Sequence, residues 1–126
     1  MNYFITIIFS IIINLTAFLS VPFSELEKAF STGDATEIVK YGKSKILINI
    51  DQKEGVYSQS QGSQILKSFF KDHPPKSFDF HFKGKESGAS SYAVGTYLSE
   101  HSFRVTLKFQ LEKEVYKIES ISIEKE

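Results

Sequence analysis

The sequence predicts an α+β domain in which three helices pack on one face of an antiparallel sheet of about four long strands plus a short N-terminal strand pair. Two observations carry this reading. The segments before Pro75 carry helix-capping residues and apolar positions at helical spacing. The segments after Pro75 alternate apolar and polar residues with period two, separated by short turns.

The first helix is expected after Ser24, with Glu27 at the capping-box position and Phe23, Leu26, Ala29 and Phe30 on one face. Gly33 is placed to end it. Asp34 caps a second short helix with Glu37 three residues later, and Gly42 stops it. Ile46-Leu47-Ile48-Asn49-Ile50 is rich in β-branched residues and reads as a strand. Asp51 to Gly55 is turn chemistry, and Val56-Tyr57 reads as the stub of a second strand. Ser58 and Gln61 form a capping box for the longest helix, whose stripe is Ile65, Leu66, Phe69 and Phe70. Pro74-Pro75 forbid its continuation.

Phe78, Phe80 and Phe82 then alternate with Asp79, His81 and Lys83. Strands follow at Tyr92–Leu98, Phe103–Phe109 and Val115–Ile123. The last changes phase between Tyr116/Ile118 and Ile121/Ile123, which predicts a β-bulge near Glu119 or Ser120. Short turns make these four strands antiparallel neighbours with one wet face.

The N-terminus is of another kind. Residues 1–22 contain no Asp, Glu, Lys or Arg, and Tyr3–Leu19 is almost wholly apolar. Residues 1–20 therefore read as a secretory signal preceding a domain at 23–126, which places the protein in the periplasm or outside the cell. A retained membrane anchor is the alternative, because the run approaches bilayer-spanning length. There is no cysteine in the 126 residues. Disulfides, thiol catalysis and zinc–thiolate sites are excluded, so packing alone must stabilise the fold. Nine of the twelve Phe lie after residue 22 and are its main core material.

Fifteen basic and fifteen acidic residues give zero net charge, and all of them lie after residue 22. Nucleic-acid binding calls for a basic excess that is missing here.

The order of elements is that of the nuclear transport factor 2-like, or cystatin-like, superfamily, in which a strongly curved sheet wraps a helix layer to form a cone. The Gly33-Asp34 junction with Tyr41 one turn later resembles that superfamily's opening. More narrowly, the chain resembles an exported Bacteroidetes-type family known only as a domain of unknown function. The resemblance rests on Glu54-Gly55-Val56-Tyr57-Ser58, Gln61, Leu66, Phe69-Phe70, Lys76-Ser77-Phe78, Gly84, Tyr92-Ala93-Val94-Gly95-Thr96, Phe103-Arg104-Val105 and Ile121-Ser122-Ile123-Glu124, taken in order. It implies fold and export, and no activity.

His73, His81 and His101 fall at a helix end, on a wet strand face and in a turn, so they are read as dispersed surface groups without metal-ligand spacing. Asp34 and Asp51 are explained as cap and turn residues, Asp72 and Asp79 as exposed. No metal or cofactor is implied. The aromatic residues are the candidate binding set: Phe30, Tyr41, Phe70, Phe80 and Tyr92 are expected to line the cone around a small apolar ligand. Filling of the core by the same rings is the competing reading. Arg104, Thr106 and Lys108 mark a polar sheet face on which a homodimer could form. Two functions follow: a non-catalytic exported binding or assembly module, or a small cofactor-free isomerase or hydrolase with its site in the cone. An ionisable side chain projecting into the cavity would favour the enzyme.

Overall fold

Proline opens the first helix and glycine closes it. In the computed structural model, which describes residues 20–126, α1 spans Phe23–Thr32 with Pro22 at its N-cap. The Pro22 carbonyl accepts from Leu26 N at 3.0 Å, and no side chain caps the helix. Ser24 therefore lies inside the helix and not before it. Proline's fixed φ already presents the first carbonyl correctly, so a hydroxyl cap is not required. At the other end Gly33 takes φ +68°. Its N–H bonds Phe30 O, and Asp34 N bonds Ala29 O at 2.8 Å, a Schellman ending.

Asp34 caps α2 (Ala35–Lys40) by accepting from Glu37 N at 3.1 Å. The strand β1 (Gly42–Ile50) follows directly, beginning four residues before the β-branched run. The β2 strand (Lys53–Ser58) returns through Asp51 and Gln52, both at positive φ, a two-residue hairpin turn that suits the strand twist. The expected capping box is complete at α3 (Gln59–Asp72): Ser58 Oγ accepts from Gln61 N, and Gln61 accepts from Ser58 N. The remaining strands are β3 (Ser77–Lys83), β4 (Ser90–Leu98), β5 (Ser102–Glu112) and β6 (Val115–Lys125).

The six strands form one sheet in the order β2-β1-β6-β5-β4-β3. All neighbours are antiparallel except β1 and β6, which run parallel with Leu47 opposite Ser120 and Ile50 opposite Ile123. The sheet is thus mixed, and the expectation of a purely antiparallel one is corrected. The β3–β6 meander brings the last strand back beside β1 in the same direction, a long-range pairing that no local pattern encodes.

Besides a register shift between Gly42 and Leu47 in the β1–β6 pair, two bulges shape it. In β5–β6, Lys108 faces Ser120 and Phe109 faces Ile118, so Glu119 is the extra residue, where the phase shift placed it. In β3–β4, Phe80 faces Gly95 and Phe82 faces Val94, leaving His81 extra. This second bulge has no counterpart in the sequence pattern, and it turns Phe82 onto the opposite face from Phe78.

The inner face carries Ile46 and Ile48 of β1, Ala93 and Tyr97 of β4, Phe103, Val105, Leu107 and Phe109 of β5 and Ile118, Ile121 and Ile123 of β6, all closed from solvent by Leu26, Phe30, Ile38, Leu66 and Phe70 of the helices. Gly95 allows the Phe78 ring to lie against the β4 backbone: a Cβ there would stand 2.6 Å from Phe78 Cζ. Close approach, rather than a bend alone, accounts for glycine in mid-strand. Among the described residues no helix is long and apolar enough to cross a membrane. The export segment expected at 1–20 lies outside the described residues, save Ser20.

Candidate functional site between α3 and the first hairpin

The aromatic set proposed to line the interior divides in three. Phe30 and Phe70 fill the core. Phe30 is fully buried and stacks on Phe78 with ring centroids 4.8 Å apart, and Phe70 packs edge-on against it at 6.2 Å. Phe80 is half-buried and meets Phe23 and Phe78 edge-on at 5.5 and 4.9 Å. Tyr41, which follows α2, is likewise partly buried against the core, its hydroxyl donating to Glu37 at 3.2 Å. Partial burial, then this carboxylate, raises its pKa. Tyr92 is not in the interior at all. Ala93, Gly95 and Tyr97 take the inner face of β4, so Tyr92 points outward, 50% exposed and stacked on Phe82 at 5.1 Å. The placement of Tyr92 in the cone is corrected by this strand phase.

The helix–sheet layer is nevertheless open at one place. A cavity of about 290 Å³ lies between α3 and the β1–β2 hairpin. Its apolar wall is Ile48 and Ile50 from β1, Tyr57 from β2, and Ile65 and Phe69 from α3. Lys53, Ser68, Asp72 and His73 stand around it. The geometry follows from two periodicities. Ile48 and Ile50 share the inner face of a strand, and Ile65 and Phe69 are four apart on one helix face. Both signals were present in the sequence. What it lacked was the pairing that sets Tyr57 opposite Ile46 and brings the hairpin beneath α3.

His73 is the polar group with the most defined surroundings. It is the C-cap of α3, with its ring 5.1 Å from Phe69 and 4.8 Å from Phe103. Its side chain is only 28% exposed, which corrects its assignment as a free surface group. His81 and His101 are exposed. His73 Nδ1 pairs with Glu100, which also accepts from Ser99 Oγ at 2.5 Å. The Ser99 hydroxyl, then His73, hold the Glu100 carboxyl down at about 2. Tyr97 donates its hydroxyl to the His73 carbonyl. Burial, followed by the nearby Glu100 charge, pushes the Tyr97 phenol well above its ordinary value. Ser99 Oγ also lies 2.6 Å from Pro74 O. These bonds tie the end of α3 to the β4–β5 turn. They do not make a relay: Ser99 bonds the carboxylate and a carbonyl, not the imidazole, so nucleophile, base and acid are not in series. Among the described residues, no group of three His, Asp or Glu gathers as a metal-ligand set.

Residues 23–124 match the model of a domain of unknown function, DUF4783. Three solved structures of DUF4783 proteins bracket the similarity. That from Bacteroides uniformis ATCC 8492 is 27% identical, covers 85% of this chain and 98% of its own, and superposes with a TM-score of 0.79. That from Bacteroides ovatus ATCC 8483 is 23% identical over 84% and 96%, at 0.78. That from Bacteroides fragilis YCH46 is 24% identical over 85% and 100%, at 0.78. A nuclear transport factor 2-like protein of unknown function from Shewanella baltica OS155, 11% identical over 82% and 86%, shares the fold at 0.64. No curated protein matches the chain significantly. A family match over nearly all of the described chain, together with three helices on a six-stranded mixed sheet of nuclear transport factor 2-like fold, means that the chain belongs to the DUF4783 family.

Proposed function

We propose that this protein is an exported, non-catalytic binding module that takes a small apolar ligand in the cavity between α3 and the β1–β2 hairpin. The observation that carries the reading is the composition of that cavity: aliphatic and aromatic side chains form its wall, and the charged groups Lys53 and Asp72 are exposed beside it. This is the usual make-up of a small-molecule site, near the lower end of the size range of about 300–1,000 Å³. The ionisable groups Lys53, Asp72 and His73 stand at the cavity's edge, and none of them is buried. His73 is engaged by Glu100 through Nδ1. Tyr97, with its raised pKa, stays protonated and is engaged with a backbone carbonyl. The Glu100 contact leaves Nε2 of His73 free, but no hydroxyl among the described residues bonds it, so no nucleophile is activated there. The apolar, charge-free N-terminal segment supports export.

Titration with straight-chain alcohols, followed by NMR of the Ile methyl groups, tests the site. Saturable shifts are expected at Ile48, Ile50 and Ile65, and Ile65→Trp is expected to abolish them by filling the cavity while the fold is retained. Binding undiminished in Ile65→Trp would sink the assignment, and chemical conversion of a bound ligand would replace binding by catalysis. For export, mass spectrometry of the protein from its native envelope is expected to find a form that starts near Val21. A form that keeps Met1 would indicate an anchor.

A further inference from the structure

The other face of the sheet carries a second concavity. The chain between β3 and β4 arches over the strands and leaves a cleft of about 740 Å³ floored by β4, β5 and β6. Its apolar wall exists because of the bulge at His81. Without the extra residue Phe82 would face inward with Phe78; with it, Phe82 stands beside Tyr92, the two rings stacked 25° from parallel. Bulges commonly re-aim a side chain in this way. Both rings are large, and 45% and 50% exposed. An exposed aromatic pair of this size offers an apolar platform that no part of the described chain covers.

The polar groups around the platform are of two kinds. Lys85 and Lys108 are the charged side chains among the described residues that line the cleft, and no carboxylate lines it. Lys108 does meet Glu119 at 3.6 Å, but both partners are more than a third exposed, and such a pair is weak and easily exchanged. Glu86 in the arch is turned to Val21 N at 3.2 Å. The rest of the polar lining is hydroxyl: Ser87, Ser90, Thr106 and Ser120. Ser91 alternates with Tyr92 and lies opposite Phe109, so its buried Oγ belongs to the core side of the sheet and not to the cleft.

We propose that this cleft binds an acidic saccharide. A pyranose ring has a face of C–H groups that complements the negative π-face of Tyr92 and Phe82. Its hydroxyls both donate and accept, as the Ser and Thr side chains around it require. Its carboxylate or sulfate meets Lys85 and Lys108. A simple aromatic acid would satisfy the platform and the lysines and leave the hydroxyls unanswered. A neutral sugar would leave the lysines without a counter-charge. The cleft and the cavity beneath α3 lie on opposite faces of the sheet, so the two sites stand or fall separately.

The test is calorimetric titration of the protein with tetragalacturonate, its neutral methyl ester and benzoate, alongside light scattering for oligomeric state. Saturable binding of tetragalacturonate is expected, weakened by added salt, with the ester and benzoate at least tenfold weaker. Tyr92→Ala should weaken binding by about tenfold, the loss of one stacking contact. The double variant Lys85→Ala/Lys108→Ala should bind acid and ester alike and lose the salt dependence. Equal binding of acid and ester, preference for benzoate, absence of binding, or a stable dimer that buries Tyr92 would each overturn the proposal.

Discussion

Truncation of Phe70 to Ala tests how the helix layer is held to the sheet. Phe70 is 6% exposed, and its ring packs against Phe30 at 6.2 Å and against Phe69 and Tyr97 at 5.7 Å each. Its Cβ and Cγ also lie 3.4 Å from where a Cβ on Gly33 would stand, so it fills the space beneath the α1–α2 junction. A buried phenyl group removes about 150 Å² from water, which at about 25 cal/mol per Å² amounts to roughly 4 kcal/mol. Measured truncations of buried Phe fall at about 3–5 kcal/mol, the same range. A domain of this size has a total stability of about 5–15 kcal/mol, so the variant should remain folded but marginal. The expected fall in melting temperature is roughly 12–30 °C. Urea melts are the assay, with Phe82→Ala as the control. Phe82 is 45% exposed on the opposite face and should cost less than about 1 kcal/mol. If Phe70→Ala costs no more than the control at an unchanged m-value, the layer is not held by this ring and the packing argument fails.

Gly95→Ala should destabilise by about 1–3 kcal/mol through overpacking, because the new methyl group would lie 2.6 Å from Phe78 Cζ and 2.8 Å from Asp79 O. A variant that melts with the wild type would show that the two strands separate easily there. The Glu100 carboxyl, held at about 2 against an ordinary 4.5, contributes stability that is complete above pH 4.5 and is lost as pH falls through about 2. Melting temperature measured from pH 6 to pH 2 should therefore fall less steeply in Glu100→Gln than in the wild type; parallel slopes would remove Glu100 from the account. Lys113 and Glu114 turn the β5–β6 hairpin at φ +50° and +68°. Their replacement by Asn-Gly, the residues that such a turn favours, should raise stability by about 0.5–1 kcal/mol in chemical denaturation. No gain would mean that the turn is unstrained as it stands.

Much of this molecule was legible one residue at a time. Asp34, Ser58 and the Pro74-Pro75 stop act where their local chemistry placed them, because caps and breakers work within a few residues. The bulge at Glu119 was legible too, since an inserted residue shifts the apolar phase of its own strand between Ile118 and Ile121. The bulge at His81 left no such trace. Phe78, Phe80 and Phe82 alternate without interruption, and only pairing with β4 reveals that the third ring belongs to the other face. Tyr92 failed for a related reason: either phase of Tyr92–Leu98 is credible until Ala93, Gly95 and Tyr97 are seen to take the inner face. His73 was legible as a helix end, but its contact with Glu100 spans 27 residues of sequence and exists only because the β4–β5 turn arrives beside α3. The parallel β1–β6 pair and both concavities are of this second kind. Sequence alone determined the Asp34 and Ser58 caps, the Pro74-Pro75 stop and the phase change at Glu119, because those depend on neighbours along the chain. Which face met which partner, and therefore where a ligand could enter, was decided only when distant strands paired and fixed their register.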